Sequence, residues 1–313
     1  MALDKKFENL FLKVSTQAAI ASNNFVGKKN KDHADKAAVD AMRSELNKIN
    51  MKGRIVIGEG ELDEAPMLFI GEKLGTMSGP ELDIAVDPLE GTKFAAYNLP
   101  GALSVISVAE KNNLFNAPET YMNKISANVP NDQIIDLDFT VKKNIHNLAD
   151  FKNKKPENLT ACILDRPRHR EIIDELIKMK VKLKLITDGD VSGALLVTDE
   201  KYNVDIFLGT GGGPEGVLAA TALDAFNCGF QGRFLFESNE EKLRAKKMGI
   251  DDLTKKYELK EIVSGDSIFC ATGITSGDLV SGIIIEGKEF ISETLVTHKS
   301  SATKKILNLK KKI

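Results

Sequence analysis

The 313 residues are 42% hydrophobic and 28% charged, the balance of an ordinary globular protein. A net charge of −2 offers no basic face for nucleic acid, and no apolar run reaches the about 18 residues a membrane span needs. Cys162, Cys228 and Cys270 lie far apart in apolar stretches without metal or redox spacing, so they read as reduced core residues of a cytoplasmic protein. The start Met1-Ala2-Leu3-Asp4-Lys5-Lys6 is too polar for a secretory signal.

Leu3, Phe7, Leu10, Phe11, Val14 and Ala18 recur at helical spacing, and so do Ala38, Met42, Leu46 and Ile49. Two amphipathic helices are expected, joined by the polar link from Gly27 to His33, with Asp35 near the start of the second. A short strand, Arg54–Ile57, leads straight into Gly58-Glu59-Gly60-Glu61. Pro66 suits the first turn of a further helix. The strand Leu82–Val86 is expected to end at Asp87-Pro88, and Ala102–Ala109 reads as another buried strand.

Residues 111 to 158 are rich in Asn and resist assignment. Beyond them strand-like runs at 159–164, 182–186, 204–208 and 233–236 alternate with helix-like runs at 168–179, 190–197 and 214–226. That alternation predicts an α/β layered fold. A strand-rich part covers about 267–297, and the basic tail from His298 to Ile313 reads as a solvated terminal helix. The polar stretch by Pro156 suggests two domains, 1–155 with the acidic motifs and 156–313 completing the substrate site.

Chemistry concentrates between Gly58 and Thr92, where Glu59, Glu61, Asp63, Glu64, Glu72, Glu81, Asp83, Asp87 and Glu90 all fall. Glu72 and Glu81 read as solvated. Glu59 and Asp87 each follow an apolar run, at the strand ends where α/β sheets collect ligands. Carboxylates gathered there repel one another unless a cation neutralises them, and an all-oxygen set suits Mg²⁺ or Mn²⁺ rather than zinc. In Asp87-Pro88-Leu89-Glu90-Gly91-Thr92 the proline turns the chain, the glycine permits close approach, and the threonine offers a hydroxyl. Gly209-Thr210-Gly211-Gly212-Gly213 can present backbone N–H groups to an anion or simply turn the chain. Arg166-Pro167-Arg168-His169 can fork onto phosphate or merely open a helix.

The string from Asp87 to Thr92 resembles the D-P-[LI]-D-G-[ST] signature of the lithium-sensitive, magnesium-dependent sugar phosphatases. Val56–Leu68, Asp83–Thr92 and Gly211–Val217 resemble the hallmarks of one branch, the class II bacterial fructose-1,6-bisphosphatases, in similar order along nearly the whole chain. The resemblance implies an α-β-α-β-α layered fold and hydrolysis of the 1-phosphate of fructose 1,6-bisphosphate, a gluconeogenic step. It implies metal ligands at Asp35, Glu59, Asp87, Glu90 and Glu215. Substrate contacts are implied at Glu90, Gly91, Thr92, Tyr121, Arg166, Pro167, Arg168, Asp188, Gly189, Asp190 and Gly212. Catalytic support is implied from Thr92, Asp63 and Lys31. A homo-oligomer, a dimer or tetramer, is implied as well. Related activities on sedoheptulose 1,7-bisphosphate or inositol phosphate, or a non-catalytic sugar-phosphate sensor, stand as alternatives.

Overall fold

Phe7, Phe11, Val14 and Ala18 are buried along one stripe of α1 (Lys6–Asn23), and Ala38, Met42 and Leu46 along α2 (Lys31–Leu46). Asn30 caps α2, its side-chain oxygen accepting the His33 N–H at 3.0 Å. These ranges come from a computed structural model, which describes residues 3–60, 67–130 and 133–312. Next in the chain come β1 (Lys52–Ile57), β2 (Lys73–Leu74), β3 (Glu81–Glu90), α3 (Thr92–Tyr97) and β4 (Leu103–Glu110). Pro66 lies outside the described residues. The helix expected from it is absent from 67–72, which turn instead, with Leu68 at φ 55°. β3 also runs on through Pro88 to Glu90. Its register with β4 shifts between Asp87 and Glu90, and this irregularity accommodates a proline that cannot donate to a ladder.

The middle of the chain makes a second sheet. Its elements are β5 (Tyr121–Ala127), α4 (Val141–Phe151), β6 (Thr160–Leu164), α5 (Arg170–Lys178), β7 (Lys182–Ile186), α6 (Asp190–Leu195) and β8 (Ile206–Gly212). There follow α7 (Gly213–Phe226), β9 (Gly229–Leu235), α8 (Asn239–Lys247), β10 (Lys256–Glu258) and α9 (Leu259–Ile262). Strand order is β10-β9-β5-β8-β6-β7, with β7, β6 and β8 parallel, as the alternation of strands and helices requires. Ile125, Ile206 and Leu208 of the sheet bury against Ile145 and Leu148 of α4 and Leu176 of α5.

The chain then returns to the first sheet through β11 (Ser267–Gly273), β12 (Ile284–Glu286), β13 (Glu289–His298) and β14 (Thr303–Lys312). That sheet runs β12-β13-β11-β4-β3-β1-β2, with β14 on β13. The helical stripes of α1 and α2 cover its Ile55, Ile84, Ile106, Val108, Ile268 and Val296. The basic tail is therefore a strand, not the expected helix. It pairs with β13 from Glu289↔Lys312 to His298↔Thr303, and Leu307 and Leu309 pack on the core. Its lysines line a sheet edge, where charge discourages further pairing.

Two compact units result, one from residues 1–115 and 263–313, the other from 116–262. This division departs from the 155/156 boundary suggested by composition. β5 belongs with β8 and β9, and β11 to β14 belong with β4.

Candidate active site

In the first unit Ile57 of β1 is the register partner of Ala85 of β3, and the two strands are parallel. Glu59 and Asp87 each lie two residues beyond that pair, so both acids stand at the same level of adjacent strands, Glu59 just past the end of β1 and Asp87 still within β3. Gly58 permits the exit, because a Cβ there would stand 1.9 Å from the Leu68 carbonyl oxygen. Glu59 and Asp87 are half-buried and Glu90 is buried. Gly91 sits in the left-handed region at φ 77°, which turns the chain from β3 into α3 and makes Thr92 the first residue of that helix.

Asp35 lies on α2, which packs on both β3 and α3. Burial, and then the charge of Asp32, raise its carboxyl above the usual range. The link before Lys31 is hydrogen-bonded onto α3, Gly27 and Lys29 donating to the carbonyls of Ala95 and Ala96 at 2.9 and 2.8 Å. Lys31 itself is exposed at the first turn of α2. Asp63 lies outside the described residues, as do Glu61 and Glu64.

Other acids of the cluster are structural. The buried Asp83 takes Arg54 Nη2 at 3.1 Å and the Asn112 N–H at 2.6 Å. Glu81 pairs at the surface with Lys111 at 2.8 Å. Glu72 is not solvated as expected. It is buried, accepting from Arg43 Nε at 2.6 Å and from the Leu68 N–H.

The second unit gathers most of the other candidates around the end of β8. Tyr121 opens β5 opposite Gly212 and is exposed. The Arg168 guanidinium lies 4.8 Å from its ring centroid and donates through Nε and Nη2 to the Thr210 carbonyl at 3.0 and 2.8 Å. Arg166 precedes a short 3₁₀ turn over Pro167–His169 and donates to the Asp165 carbonyl at 3.3 Å. His169 fastens that turn to β8. Its Nδ1 lies 2.7 Å from the Leu164 carbonyl oxygen and its Nε2 2.7 Å from the Thr210 nitrogen, so the first nitrogen donates and the second accepts. Burial, chiefly, lowers its pKa.

Asp188 accepts the Gly189 N–H at 3.1 Å, and Gly189, left-handed at φ 79°, turns the chain into α6 at Asp190. Glu215 sits in the first turn of α7 after Pro214. Burial, and then the charges of Asp190 and Asp188, push its carboxyl up to about 7, against an opposing pull from Lys124. The glycines of β8 make room for these acids. A Cβ on Gly211 would meet Asp190 Oδ2 at 1.9 Å, and one on Gly212 would meet Glu215 Oε2 at 1.8 Å. Lys124 went unremarked in the sequence because it stands in a stretch with no clear pattern. Its signal is a lysine at a core position of the run Tyr121–Ala127.

Carboxylates are the proposed donors in both units, a chemistry that fits a hard divalent cation, and the raised Glu215 needs a positive neighbour to stay ionised. Among the described residues, no three His, Cys, Asp or Glu side chains are grouped so as to hold a metal ion.

Acids on and just beyond two parallel strands of one mixed sheet, and arginines with further acids on a second, are the kinds of group an α/β phosphoric-ester hydrolase uses. The chain belongs to the bacterial fructose-1,6-bisphosphatase family, glpX-encoded, whose family model matches residues 5–311. A relative from Trichodesmium erythraeum, named D-fructose 1,6-bisphosphatase class 2/sedoheptulose 1,7-bisphosphatase, is 38% identical, covering 95% of this chain and 93% of its own. One of the same name from Microcystis aeruginosa is 40% identical over 87% of this chain and 86% of its own. A solved structure of the extragenic suppressor protein suhB from Bartonella henselae covers 62% of this chain and 74% of its own at 10% identity, with a TM-score of only 0.36.

Proposed function

We propose that the chain hydrolyses the 1-phosphate of fructose 1,6-bisphosphate to fructose 6-phosphate and phosphate. The match to the family across residues 5–311 carries this reading, and relatives at 38–40% identity bear the activity in their names. Those names also include sedoheptulose 1,7-bisphosphate, which makes it the second substrate to try. Among the described residues no helix is long and apolar enough to cross a membrane, and the buried positions of Cys162, Cys228 and Cys270 suit a cytoplasmic enzyme.

Asp35, Glu59, Asp87 and Glu90 of the first unit and Glu215 of the second are the proposed ligands of divalent ions, Mg²⁺ or Mn²⁺. Such an ion supplies charge neutralisation and a water of lowered pKa. Thr92, fixed by the turn at Gly91, orients the attacking water and accepts a hydrogen bond from it. Lys31 offers a positive charge to the phosphate, and Asp63, outside the described residues, supports the chemistry as the family resemblance implies. In the second unit Arg168, over the Tyr121 ring and steadied by the Thr210 carbonyl, offers its remaining N–H groups, while Arg166 adds a second fork. Both suit the phosphate that is not cleaved. Asp188, Gly189 and Asp190 face sugar hydroxyls, and Gly212 admits the ligand close to the backbone. Phosphoryl transfer leaves the protein mainly positioning and charge stabilisation to provide, and these residues are suited to both.

The test is phosphate release by the purified chain from fructose 1,6-bisphosphate, sedoheptulose 1,7-bisphosphate and inositol 1-phosphate, with Mg²⁺, with Mn²⁺ and with excess chelator. Turnover of the first substrate that vanishes in chelator is expected. Binding without turnover would instead support a sugar-phosphate sensor, and undiminished turnover in chelator would reject the metal.

A further inference from the structure

Lys124 is 1% exposed in the middle of β5, and its ammonium is enclosed by groups of the candidate site. The Nζ donates to Asp190 Oδ2 and, at 2.7 Å, to the carbonyl oxygen of Gly212. A buried lysine is costly unless it is paired, so its presence calls for a reason beyond packing. The surroundings are shaped for it. A Cβ on Gly211 would lie 3.1 Å from Nζ, and one on Gly216 would lie 3.1 Å from the lysine's Cδ. Two glycines on separate elements thus leave the space that the side chain fills.

Its two partners stand where two helices begin. Asp190 opens α6, and Gly212 closes β8 just before α7 brings in Glu215. One ammonium therefore ties the entrances of two helices to the central strand of the sheet. It also places a single positive charge among Asp188, Asp190 and Glu215, whose mutual repulsion would otherwise drive them apart.

We propose that Lys124 is a positioning residue for the sugar phosphate. It holds Asp190 and the Gly212 carbonyl in the one arrangement that receives the ligand. The proposal rests on the bisphosphatase reading for the identity of that ligand. Lys124 touches neither the reacting phosphate nor the water, so its loss weakens binding more than turnover.

The experiment uses the full chain with Lys124→Met and Lys124→Arg. Steady-state kinetics with fructose 1,6-bisphosphate are read beside the rise in melting temperature produced by fructose 6-phosphate in the presence of chelator. Lys124→Met is expected to raise KM about tenfold with a much smaller fall in kcat, and to lose most of the fructose 6-phosphate-induced rise relative to its own baseline. Lys124→Arg keeps the charge but cannot seat a planar fork between Asp190 and Gly212 in so tight a space. It is expected to raise KM by about threefold and to lower the baseline melting temperature by a few degrees, about what overpacking a buried site costs. A folded variant with wild-type KM and an unchanged ligand-induced rise overturns the proposal, and so does a fall in kcat alone. If Lys124→Met does not fold, the arginine variant decides by the same criteria. A wild-type chain inert toward fructose 1,6-bisphosphate would instead refute the bisphosphatase reading, and the thermal response to fructose 6-phosphate still judges Lys124 separately.

Discussion

His298 Nδ1 lies 2.8 Å from Glu8 Oε1, joining the end of β13 to the first turns of α1 across almost the whole sequence. The other ring nitrogen is 3.1 Å from Asp266 Oδ2, and Asp266 in turn accepts the Leu3 N–H at 2.7 Å. Ser301 and Thr303 also donate to Glu8, at 2.6 and 2.9 Å. The N-terminal helix is thus clasped to the β13–β14 hairpin by a buried polar network. Replacing His298 by Ala leaves two buried carboxylates short of a donor and is expected to cost about 3 kcal/mol of folding stability, read by denaturant unfolding.

The same clasp sets a pH dependence. Burial alone would raise the Glu8 carboxyl, but hydrogen bonds from Ser301, His298 and Thr303 outweigh it and hold it below its usual range. For Asp266 burial is likewise outweighed, by Ser300, Leu3 and His298. A depressed folded-state pKa binds protons more weakly than the unfolded chain does. The stability it provides is present above the ordinary carboxylate range and is lost as pH falls through the depressed values. Melting temperature is expected to drop below about pH 4. Glu8→Gln should be less stable than wild type at neutral pH and show a shallower acid decline. An equally steep decline in that variant would remove Glu8 from the account.

Glu59, just past β1, and Asp87, within the parallel β3, stand at the same level of adjacent strands, and Glu90 closes β3 three residues later. Asp87→Asn and Glu90→Gln keep shape and remove charge. Each is expected to cut metal-dependent phosphate release by at least about 100-fold while the circular-dichroism melt stays cooperative. Isothermal titration with Mn²⁺ should lose heat in step. Retained metal binding with lost activity would assign these acids to another task.

Gly212→Ala tests the space beside Glu215. The new Cβ would fall 1.8 Å from Oε2 and 2.5 Å from Cδ, so the carboxyl group must swing away. It is the end of a flexible side chain, so the fold should lose only about 1 kcal/mol. Activity is expected to fall far more than stability, because Glu215 is displaced. A fully active Gly212→Ala chain would show that Glu215 is dispensable in the position it occupies.

How far the sequence could be read follows from where each signal lives. The stripes of α1 and α2, and the parallel trio β6, β7 and β8, carry periodicity within short windows, and they form as that periodicity predicts. The tail at 303–312 misleads because Lys304, Lys305, Lys310, Lys311 and Lys312 dominate its composition, whereas its structure is decided by pairing with β13. Pro88 argues locally for a strand end, yet a register shift lets β3 continue to Glu90. Motif resemblance nominated Tyr121, Arg168 and Gly212, and the structure sets Tyr121 opposite Gly212 and beneath Arg168. The roles of Lys124 and His169 were not legible: Lys124 sits in no motif, His169 closes a string read for its arginines, and the partners of both are brought close only by folding.

Arg168 offers the sharpest separation of binding from chemistry. Its guanidinium is exposed, stacked on Tyr121, and steadied by two donations to the Thr210 carbonyl, while His169 pins the Thr210 N–H from the other side. The remaining N–H groups are therefore aimed without much loss of side-chain freedom when an anion arrives. Arg168→Lys preserves charge but forfeits both the planar stack and the double donation. It is expected to raise KM for fructose 1,6-bisphosphate about tenfold with kcat nearly unchanged, since a retained phosphate is bound alike in ground and transition states. Tyr121→Leu should raise KM in the same direction by a smaller factor, because it removes the stack alone. A lysine variant with wild-type KM, or one losing kcat in equal measure, would move Arg168 from the retained phosphate to some other role.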